Sequence, residues 1–155
     1  MIRAATPADA QAIAEVEVRC WQRDYADIVP ADRLAERTLE TRLARWHEIL
    51  AGDATIAVAD VAGGGGVAGY VATGPGVLRA LYVAPHAQGA GVGTALLAHG
   101  HAALAGTGEA TLWVFRDNER ARRFYERHGW THEAGSEALA PPEWVAPAVR
   151  YRRAF

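Results

Sequence analysis

A glycine-rich turn between a β-rich run and an amphipathic helix constrains the fold of this chain more than any other feature. Residues 77–83 read as a strand, and residues 91–104 show helical apolar spacing. Gly89, Gly91 and Gly93 fall at the junction, where backbone without a Cβ lets N–H groups converge on phosphate oxygens. The positive end of the following helix favours the same charge, so the segment predicts a diphosphate-binding turn.

Two helices are predicted ahead of this segment. The first begins at Thr6-Pro7, where proline is preset for a first helical position, and it carries an apolar stripe. That stripe consists of Ala14, Val18, Trp21 and Tyr25. The second helix is predicted over residues 30–50, with Gly52 as its stop. Its apolar spacing comes from Leu39, Leu43, Trp46 and Leu50.

The remaining pattern predicts a sheet of mixed direction. Three β-rich runs separated by glycine turns, at 54–60, 67–73 and 77–83, indicate an antiparallel meander. Strand, helix, strand, helix then indicates a β-α-β-α half with parallel pairing. Its later elements are a helix over 91–104, a strand over 110–115 and a helix over 119–128, with closing strands at 130–133 and 148–155. We expect one α/β domain (α+β by some schemes) over residues 1–155, with a mostly antiparallel central sheet flanked by helices.

Composition excludes several function classes. The formal charge of -2 gives no basic footprint for nucleic acid, and no window is long and apolar enough for a membrane span or a signal peptide. Cys20 is the single cysteine, so neither an intrachain disulfide nor a cysteine-based zinc site is available. We expect a cytoplasmic protein that binds neither nucleic acid nor membrane.

Two motifs together resemble the GNAT superfamily of coenzyme A-dependent N-acyltransferases. Gln88, Gly91 and Gly93 match the family's pyrophosphate loop, Gln/Arg-x-x-Gly-x-Gly/Ala. Residues 118–130 resemble its Asn-x-x-Ala-x-x-x-Tyr-x-x-x-Gly-Phe block, with Trp130 in place of phenylalanine. The resemblance extends over nearly the whole chain. It implies acetyl transfer from acetyl-CoA to a primary amine of a small molecule, a peptide or a protein, without a metal, with the β-α-β-α half binding coenzyme A.

The resemblance also implies roles for individual residues. Tyr125 would protonate or hydrogen-bond the departing thiolate, and Asn118 would bond the pantetheine arm or the cofactor backbone. For the arginines of this block, the alternative to a solvated helix face is a contact of Arg120 or Arg123 with the 3′-phosphate of coenzyme A. The strand end would splay from its neighbour at a bulge, leaving the Val83 N–H as an oxyanion donor. The complete set of implied cofactor-binding residues is Leu81, Tyr82, Val83, Gln88, Gly89, Ala90, Gly91, Val92, Gly93, Thr94, Asn118, Arg120 and Tyr125.

Some functional questions stay open at the level of sequence. Many relatives carry a glutamate that serves the incoming amine where this chain has Val77, so we assign no general base. Trp21 and Tyr25 fit either a core stripe or the wall of an acceptor groove. The alternative to an enzyme is a non-catalytic module that binds acyl-CoA or protein partners on the same fold; the missing carboxylate favours it slightly, and Tyr125 with Asn118 favours the enzyme more.

Other patterns have simpler interpretations. The glycines at 64–66 satisfy a dinucleotide-type motif, but a strand follows them, so a hairpin turn is predicted. The histidine pairs 99/101 and 128/132 lack a third ligand nearby and predict solvated or capping side chains. Arginines along 116–127 are typical of a solvated helix face. The alternation of Val149, Tyr151 and Phe155 with arginines predicts a half-buried strand and a possible homodimer.

Overall fold

The β-rich runs form a single seven-stranded sheet in a computed structural model that describes residues 1–155, in the order β1-β2-β3-β4-β5-β7-β6. The strands are β1 (Ile2–Ala4), β2 (Thr55–Asp60), β3 (Val67–Gly74), β4 (Val77–Val83), β5 (Glu109–Phe115), β6 (Thr131–His132) and β7 (Ala148–Ala154). Only β4 and β5 pair in parallel, and every other neighbouring pair is antiparallel. The predicted meander and the predicted parallel pairing are both confirmed.

Helices cover both faces of the sheet. They are α1 (Ala10–Asp24), α2 (Ala31–Ala35), α3 (Leu39–Ala51), α4 (Val92–Leu104) and α5 (Glu119–Arg127). On one face, Ile13 of α1 and Trp46 of α3 pack against Tyr70 of β3. On the other, Leu96 and Leu97 of α4 pack on β3, β4 and β5. The mixed, mostly antiparallel sheet flanked by helices is therefore as predicted.

The single helix predicted over residues 30–50 is wrong, because the chain forms α2 and α3 with a break at residues 36–38. Thr38 is the N-cap of α3, and its side chain accepts a hydrogen bond from the Thr41 N–H at 3.2 Å. Arg37, within the break, turns inward to donate to Glu17 at 2.8 Å and to lie 3.6 Å from the Trp21 ring centroid. The N-cap at Thr38 and the bond from Arg37 to Glu17 therefore favour two helices, although the apolar spacing alone favours one. Gly52 ends α3 as predicted.

The closing strands are shorter than predicted. β6 has only two residues. Trp130, which precedes it, is buried in the core, and its indole N–H donates to His101 Nε2 at 3.0 Å. His101 is thus tied to a core tryptophan, which corrects its interpretation as a solvated or capping residue. No three His, Cys, Asp or Glu side chains are grouped as a metal site. No helix has the length and apolar character to cross a membrane.

The position of β7 in the sheet is relevant to the predicted dimer. β7 lies between β5 and β6 inside the sheet, and both Val149 and Tyr151 are buried within this chain. The alternation at the C-terminus is therefore explained by the core of one chain. A homodimer stays a prediction without support from an open β7 edge.

Candidate active site

The turn before α4 has the open backbone that a diphosphate requires. Gly89 and Gly91 have φ of 81° and 84°, in the left-handed region, and Gly91 is the N-cap of the 13-residue helix α4. A Cβ built on either glycine would meet no atom within 4 Å, so the space in front of this backbone is clear. Residues 88–94 therefore present a helix N-terminus with its first N–H groups uncovered, the geometry that favours an anion.

A seam opens between β4 and β5. The two strands pair only at Val77 with Thr111 and at Leu78 with Leu112, and then diverge. A register shift in the β3–β4 pairing places Arg79 in a bulge directly after the last paired residue. The expected splay at a bulge is therefore present, and the second half of β4 has no strand beside it on this edge.

The ladder on the other edge of β4 determines which backbone groups point into the seam. Ala84 N donates to Ala68 O at 2.7 Å, so this pair is a hydrogen-bonded one, and the Val83–Gly69 pair beside it is not. Antiparallel pairs alternate, and the backbone groups of Val83 and Leu81 consequently point away from β3 into the seam. The Val83 carbonyl accepts from Gln88 Nε2 at 3.1 Å and from the Cys20 thiol at 3.2 Å. The Val83 N–H remains directed at the seam.

Tyr125 of α5 is 8% exposed and belongs to the same apolar core as α4. Burial, with a smaller effect from Tyr82, raises its pKa above the ordinary value of a phenol. Its hydroxyl makes no hydrogen bond to another protein group. Phe124 lies beside it, its ring edge 3.7 Å from where a Cβ on Gly93 would be. The structure thus places Tyr125 in the core that packs under α4, next to the Phe124 ring that reaches the glycine turn, with a phenol that stays protonated at neutral pH.

The side chains of Asn118 and Arg120 each already make one hydrogen bond within the protein. Asn118 is the N-cap of α5, and its Oδ1 accepts from the Ala121 N–H at 3.2 Å. The expected bond to a pantetheine arm is therefore left to its Nδ2, a restriction that sequence did not reveal. Arg120 Nη1 donates to Gln88 Oε1 at 2.8 Å, which brings α5 to the glycine turn.

The other α5 arginines separate by role. Arg123 pairs with Glu119 at 3.4 Å on an exposed face. Arg122 donates to the Tyr151 hydroxyl at 2.9 Å and to the Arg116 carbonyl. Of the two arginines expected to contact a 3′-phosphate, Arg120 alone is bonded to the turn. Arg122 anchors α5 to β7 and corrects the view of this run as a purely solvated face.

An aromatic groove of about 800 Å³ lies on the opposite face of β4. Trp21 and Tyr82 line it, and Trp21 Nε1 donates to the Tyr82 hydroxyl at 3.1 Å. Tyr25 contacts the same hydroxyl at 3.4 Å and packs edge-on against Phe115, 4.9 Å between ring centroids. Trp21 is 7% exposed, as a core residue would be, and it also forms groove wall, whereas its contact with an acceptor stays a prediction. Tyr25 does not line the groove itself but packs against the residues that do.

Sequence reasoning missed several groove residues. Glu17, Tyr70, Arg79, Phe115 and Trp144 all line the groove. They come from α1, three different strands and the loop before β7, and no spacing along the chain links them. Val77, discussed above for its missing carboxylate, is not among the lining residues, whereas Arg79, Ala80 and Tyr82 of the same strand are.

Comparisons with known proteins agree with this geometry. Residues 52–132 match the family model described as an acetyltransferase (GNAT) domain. A search of curated proteins found no significant match. The structure of a GCN5-related N-acetyltransferase from Rhodopseudomonas palustris aligns with a TM-score of 0.79 at 21% identity, over 100% of this chain and 95% of that one.

Two further solved structures contain the cofactor. PaiA N-acetyltransferase from Thermoplasma acidophilum, in complex with coenzyme A, aligns with a TM-score of 0.78 at 18% identity, over 100% of this chain and 98% of that one. YncA from Salmonella typhimurium, with its cofactor acetyl-CoA, aligns with a TM-score of 0.71 at 21% identity, over 99% and 92%. Since the family match spans more than half of the sequence, this chain belongs to the GNAT acetyltransferase domain family.

Proposed function

We propose that this protein transfers an acetyl group from acetyl-CoA to a primary amine of a small molecule or peptide. The observation that carries the proposal is the seam between β4 and β5. Beyond the bulge, β4 turns Leu81 and Val83 toward the α4 side and Tyr82 toward the aromatic groove. A thioester held along the seam would be reached by an amine from the groove.

The residues at the seam fit coenzyme A. The uncovered backbone of residues 88–94 would bind the diphosphate, and Arg120 lies beside it for the 3′-phosphate. Asn118 Nδ2 and the backbone of Leu81 would bind the pantetheine arm. The backbone of Tyr82 pairs with Tyr70 of β3 and points away from the seam, which corrects its expected role in cofactor binding. The Val83 N–H would donate to the thioester carbonyl oxygen, where negative charge develops as the amine attacks.

Tyr125 would stabilise the departing sulfur. A thiol ionises near pKa 8.5, and the raised pKa of Tyr125 keeps the phenol protonated at neutral pH. Because the phenol is the weaker acid, it keeps its proton and stabilises the developing thiolate by a hydrogen bond. The C–S bond breaks as the C–N bond forms, and the proton that the amine loses is passed through solvent to the departing thiolate. A contribution of about tenfold or more is expected from this hydrogen bond.

Direct transfer is favoured over an acyl-enzyme. The only cysteine, Cys20, is buried, and burial raises the pKa of its thiol to about 12. Its thiol also donates to the Val83 carbonyl. A thiol that stays protonated and hydrogen-bonded is a poor nucleophile, so the amine would attack the thioester itself.

The test is release of free thiol from acetyl-CoA in the presence of an amine panel. We expect thiol release that depends on the amine and drops in Tyr125→Phe. Acetyl-CoA binding by calorimetry, measured on the same samples, separates the two function classes. Tight binding with no amine-dependent thiol release would assign the protein to the non-catalytic acyl-CoA-binding modules.

A further inference from the structure

The charged side chains of the groove are paired with one another, with few exceptions. Arg37 and Arg42 both bond to Glu17 at 2.8 Å, and Arg45 pairs with Glu48 at 3.0 Å. Arg79 is the remaining guanidinium of the lining, and no carboxylate oxygen lies within 4 Å of it. Arg79 therefore offers a full set of donors to the groove.

The backbone position of Arg79 is set by the bulge, and this position is called its seat below. It occupies the bulge of β4, where Ala72 faces Ala80 and Thr73 already faces Leu78. Its guanidinium lies over Gly74 of β3, with Nε only 2.6 Å from the position that a Cβ there would take. Any other residue at 74 would displace it, so the glycine leaves room for the exposed Arg79 side chain at this end of the groove.

An unpartnered hydroxyl lies in the same groove. Tyr70 is 0% exposed, lines the groove, and has a hydroxyl without any hydrogen-bond partner. A buried hydroxyl without a partner is less stable than one that is hydrogen-bonded. A ligand with a polar atom at this point would supply the missing partner.

The free charges differ along the groove. Glu143, exposed and unpaired, adjoins Trp144, whose ring packs 4.9 Å from Phe115 near the Tyr25–Tyr82 pair. Arg79 lies at the other end, over Gly74. Asp53 also lines the groove without a partner, but no Arg79 nitrogen is within 4 Å of it. Glu143 thus lies near the end where an ammonium group would enter, and Arg79 lies away from it. Asp53 precedes Thr55, which faces Thr73, and so lies toward the end that Arg79 occupies.

Resting on the acetyl transfer proposed above, we infer that the acceptor is an elongated small amine with a carboxylate at its far end, which Arg79 binds. Gly69 faces Val83 and Gly74 faces Val77, so the seat of Arg79 is five residues along β3 from the thioester level. At about 3.3 Å per residue this is roughly 16 Å. Contacts of about 3 Å at each end leave about 10 Å between amine and carboxylate. A guanidinium fork binds a carboxylate through two parallel bonds.

The experiment compares acceptors that differ only in the carboxylate. ε-Aminocaproate is the carboxylate-bearing probe, and hexylamine is the matched amine without it. We expect KM for ε-aminocaproate to be at least tenfold below that for hexylamine. In Arg79→Gln this advantage disappears, with KM for hexylamine and the affinity for acetyl-CoA unchanged, and Arg79→Lys restores part of it. Arg33→Gln is the control, because Arg33 lies outside the groove and pairs only with the exposed Glu36, and it should change none of these values.

A binding measurement keeps this inference separable from catalysis. Calorimetry of ε-aminocaproate with the coenzyme A-loaded protein should show binding that Arg79→Gln weakens at least tenfold. Acetylation of hexylamine and ε-aminocaproate with equal KM would overturn the inference and leave the acetyltransferase function standing. Absence of thiol release with every amine, together with Arg79-dependent binding of ε-aminocaproate, would overturn the function and retain the carboxylate site. Equal binding by parent and Arg79→Gln would remove the carboxylate site in either case.

Discussion

Gln88 and Arg120 form a bridge between the two halves of the candidate coenzyme A site, with Arg120 Nη1 donating to Gln88 Oε1 at 2.8 Å. The same amide donates through Nε2 to the Val83 carbonyl at 3.1 Å. One side chain thus connects the end of β4, the glycine turn and the start of α5. These three parts would each contact a different portion of coenzyme A, so the bridge is expected to preorganise the site.

Replacing Gln88 with alanine should weaken acetyl-CoA binding about five- to tenfold. The loss corresponds to roughly one net hydrogen bond of about 1 kcal/mol, since the bond to the exposed Arg120 is partly replaced by water. Calorimetry measures the dissociation constant directly. Gln11→Ala is the matched control, because the Gln11 amide donates only to Glu15 on an exposed helix face. Identical affinities of Gln88→Ala and the parent would show that the bridge does not organise the site.

Replacing Gly91 with valine should block acetyl-CoA binding, reducing affinity by at least tenfold. The new side chain would fill the clear space in front of the turn, and φ of 84° is strained for any residue with a Cβ. Gly135 is a close control: it too is a helix N-cap, with φ 79° and ψ -2° against 84° and 3° at Gly91. Gly135→Val carries the same backbone strain elsewhere. Equal loss of affinity in both variants would mean that strain, and not contact with phosphate, is responsible.

The sequence predicted the β4–turn–α4 segment and the helix α5 because their determinants are local. Glycines at fixed offsets and apolar residues at helical spacing are visible in a single window. The break between α2 and α3 was not visible, since it depends on Arg37 reaching Glu17, twenty positions earlier in the chain. A long-range ion pair overrides local spacing without leaving a pattern of its own.

The acceptor groove was unpredictable for a related reason. Tyr70 and Arg79 come together only because β3 and β4 pair with a register shift at the bulge. A bulge of one residue reverses which face a side chain takes, and no turn residue marks it in the sequence. Trp21 could be placed on a stripe, but its hydrogen bond to Tyr82 depends on how α1 sits on the sheet.

Tyr125→Phe should lower kcat by about tenfold or more while leaving acetyl-CoA affinity nearly unchanged. The ring packing is retained and only the hydroxyl is lost, so a tenfold drop corresponds to about 1.4 kcal/mol of transition-state stabilisation. Tyr151→Phe is the control, because its hydroxyl is bound by Arg122 and Glu126 away from the seam. That variant should lose stability and keep kcat. Unchanged turnover in Tyr125→Phe would make Tyr125 a core aromatic.

Buried tyrosines should make the protein unfold cooperatively in alkali. Burial raises the pKa of Tyr25, Tyr70 and Tyr125, and raises that of Tyr82 to about 12. In the unfolded chain these phenols ionise near pH 10, so above that pH the unfolded state releases protons that the folded state keeps. Stability is therefore constant below about pH 10 with respect to these groups. It then falls by about 1.4 kcal/mol per pH unit for each of them.

Absorbance of tyrosinate and far-UV circular dichroism, followed together from pH 9 to 12, test this expectation. The absorbance of these four tyrosines should rise only with loss of the helical signal. A full rise in tyrosinate absorbance at ordinary phenol pKa, with the helical signal intact, would contradict the buried state of the hydroxyls that face the seam and the groove.

The last prediction concerns Glu17, which is 4% exposed and accepts from three donors. These are Arg37 and Arg42, each at 2.8 Å, and the Trp46 indole N–H at 2.7 Å. Glu17→Gln removes the charge that both guanidiniums face, and it leaves only one acceptor oxygen for three donors. The guanidiniums retain some contact with water, being 24% and 23% exposed, so we expect the loss near the lower range for charged hydrogen bonds, about 2 kcal/mol.

Thermal unfolding measures this loss, which should lower Tm by about 4–8 °C for a chain of this size. Glu48→Gln is the matched control, because Glu48 pairs only with Arg45, and both side chains are more than half exposed. An exposed pair of that kind contributes about 0–1 kcal/mol. Since Arg37 also stacks on the Trp21 ring at the groove wall, Glu17→Gln should raise KM for the acceptor as well. Equal Tm values for the two variants would show that the buried carboxylate does not hold α1 to α3.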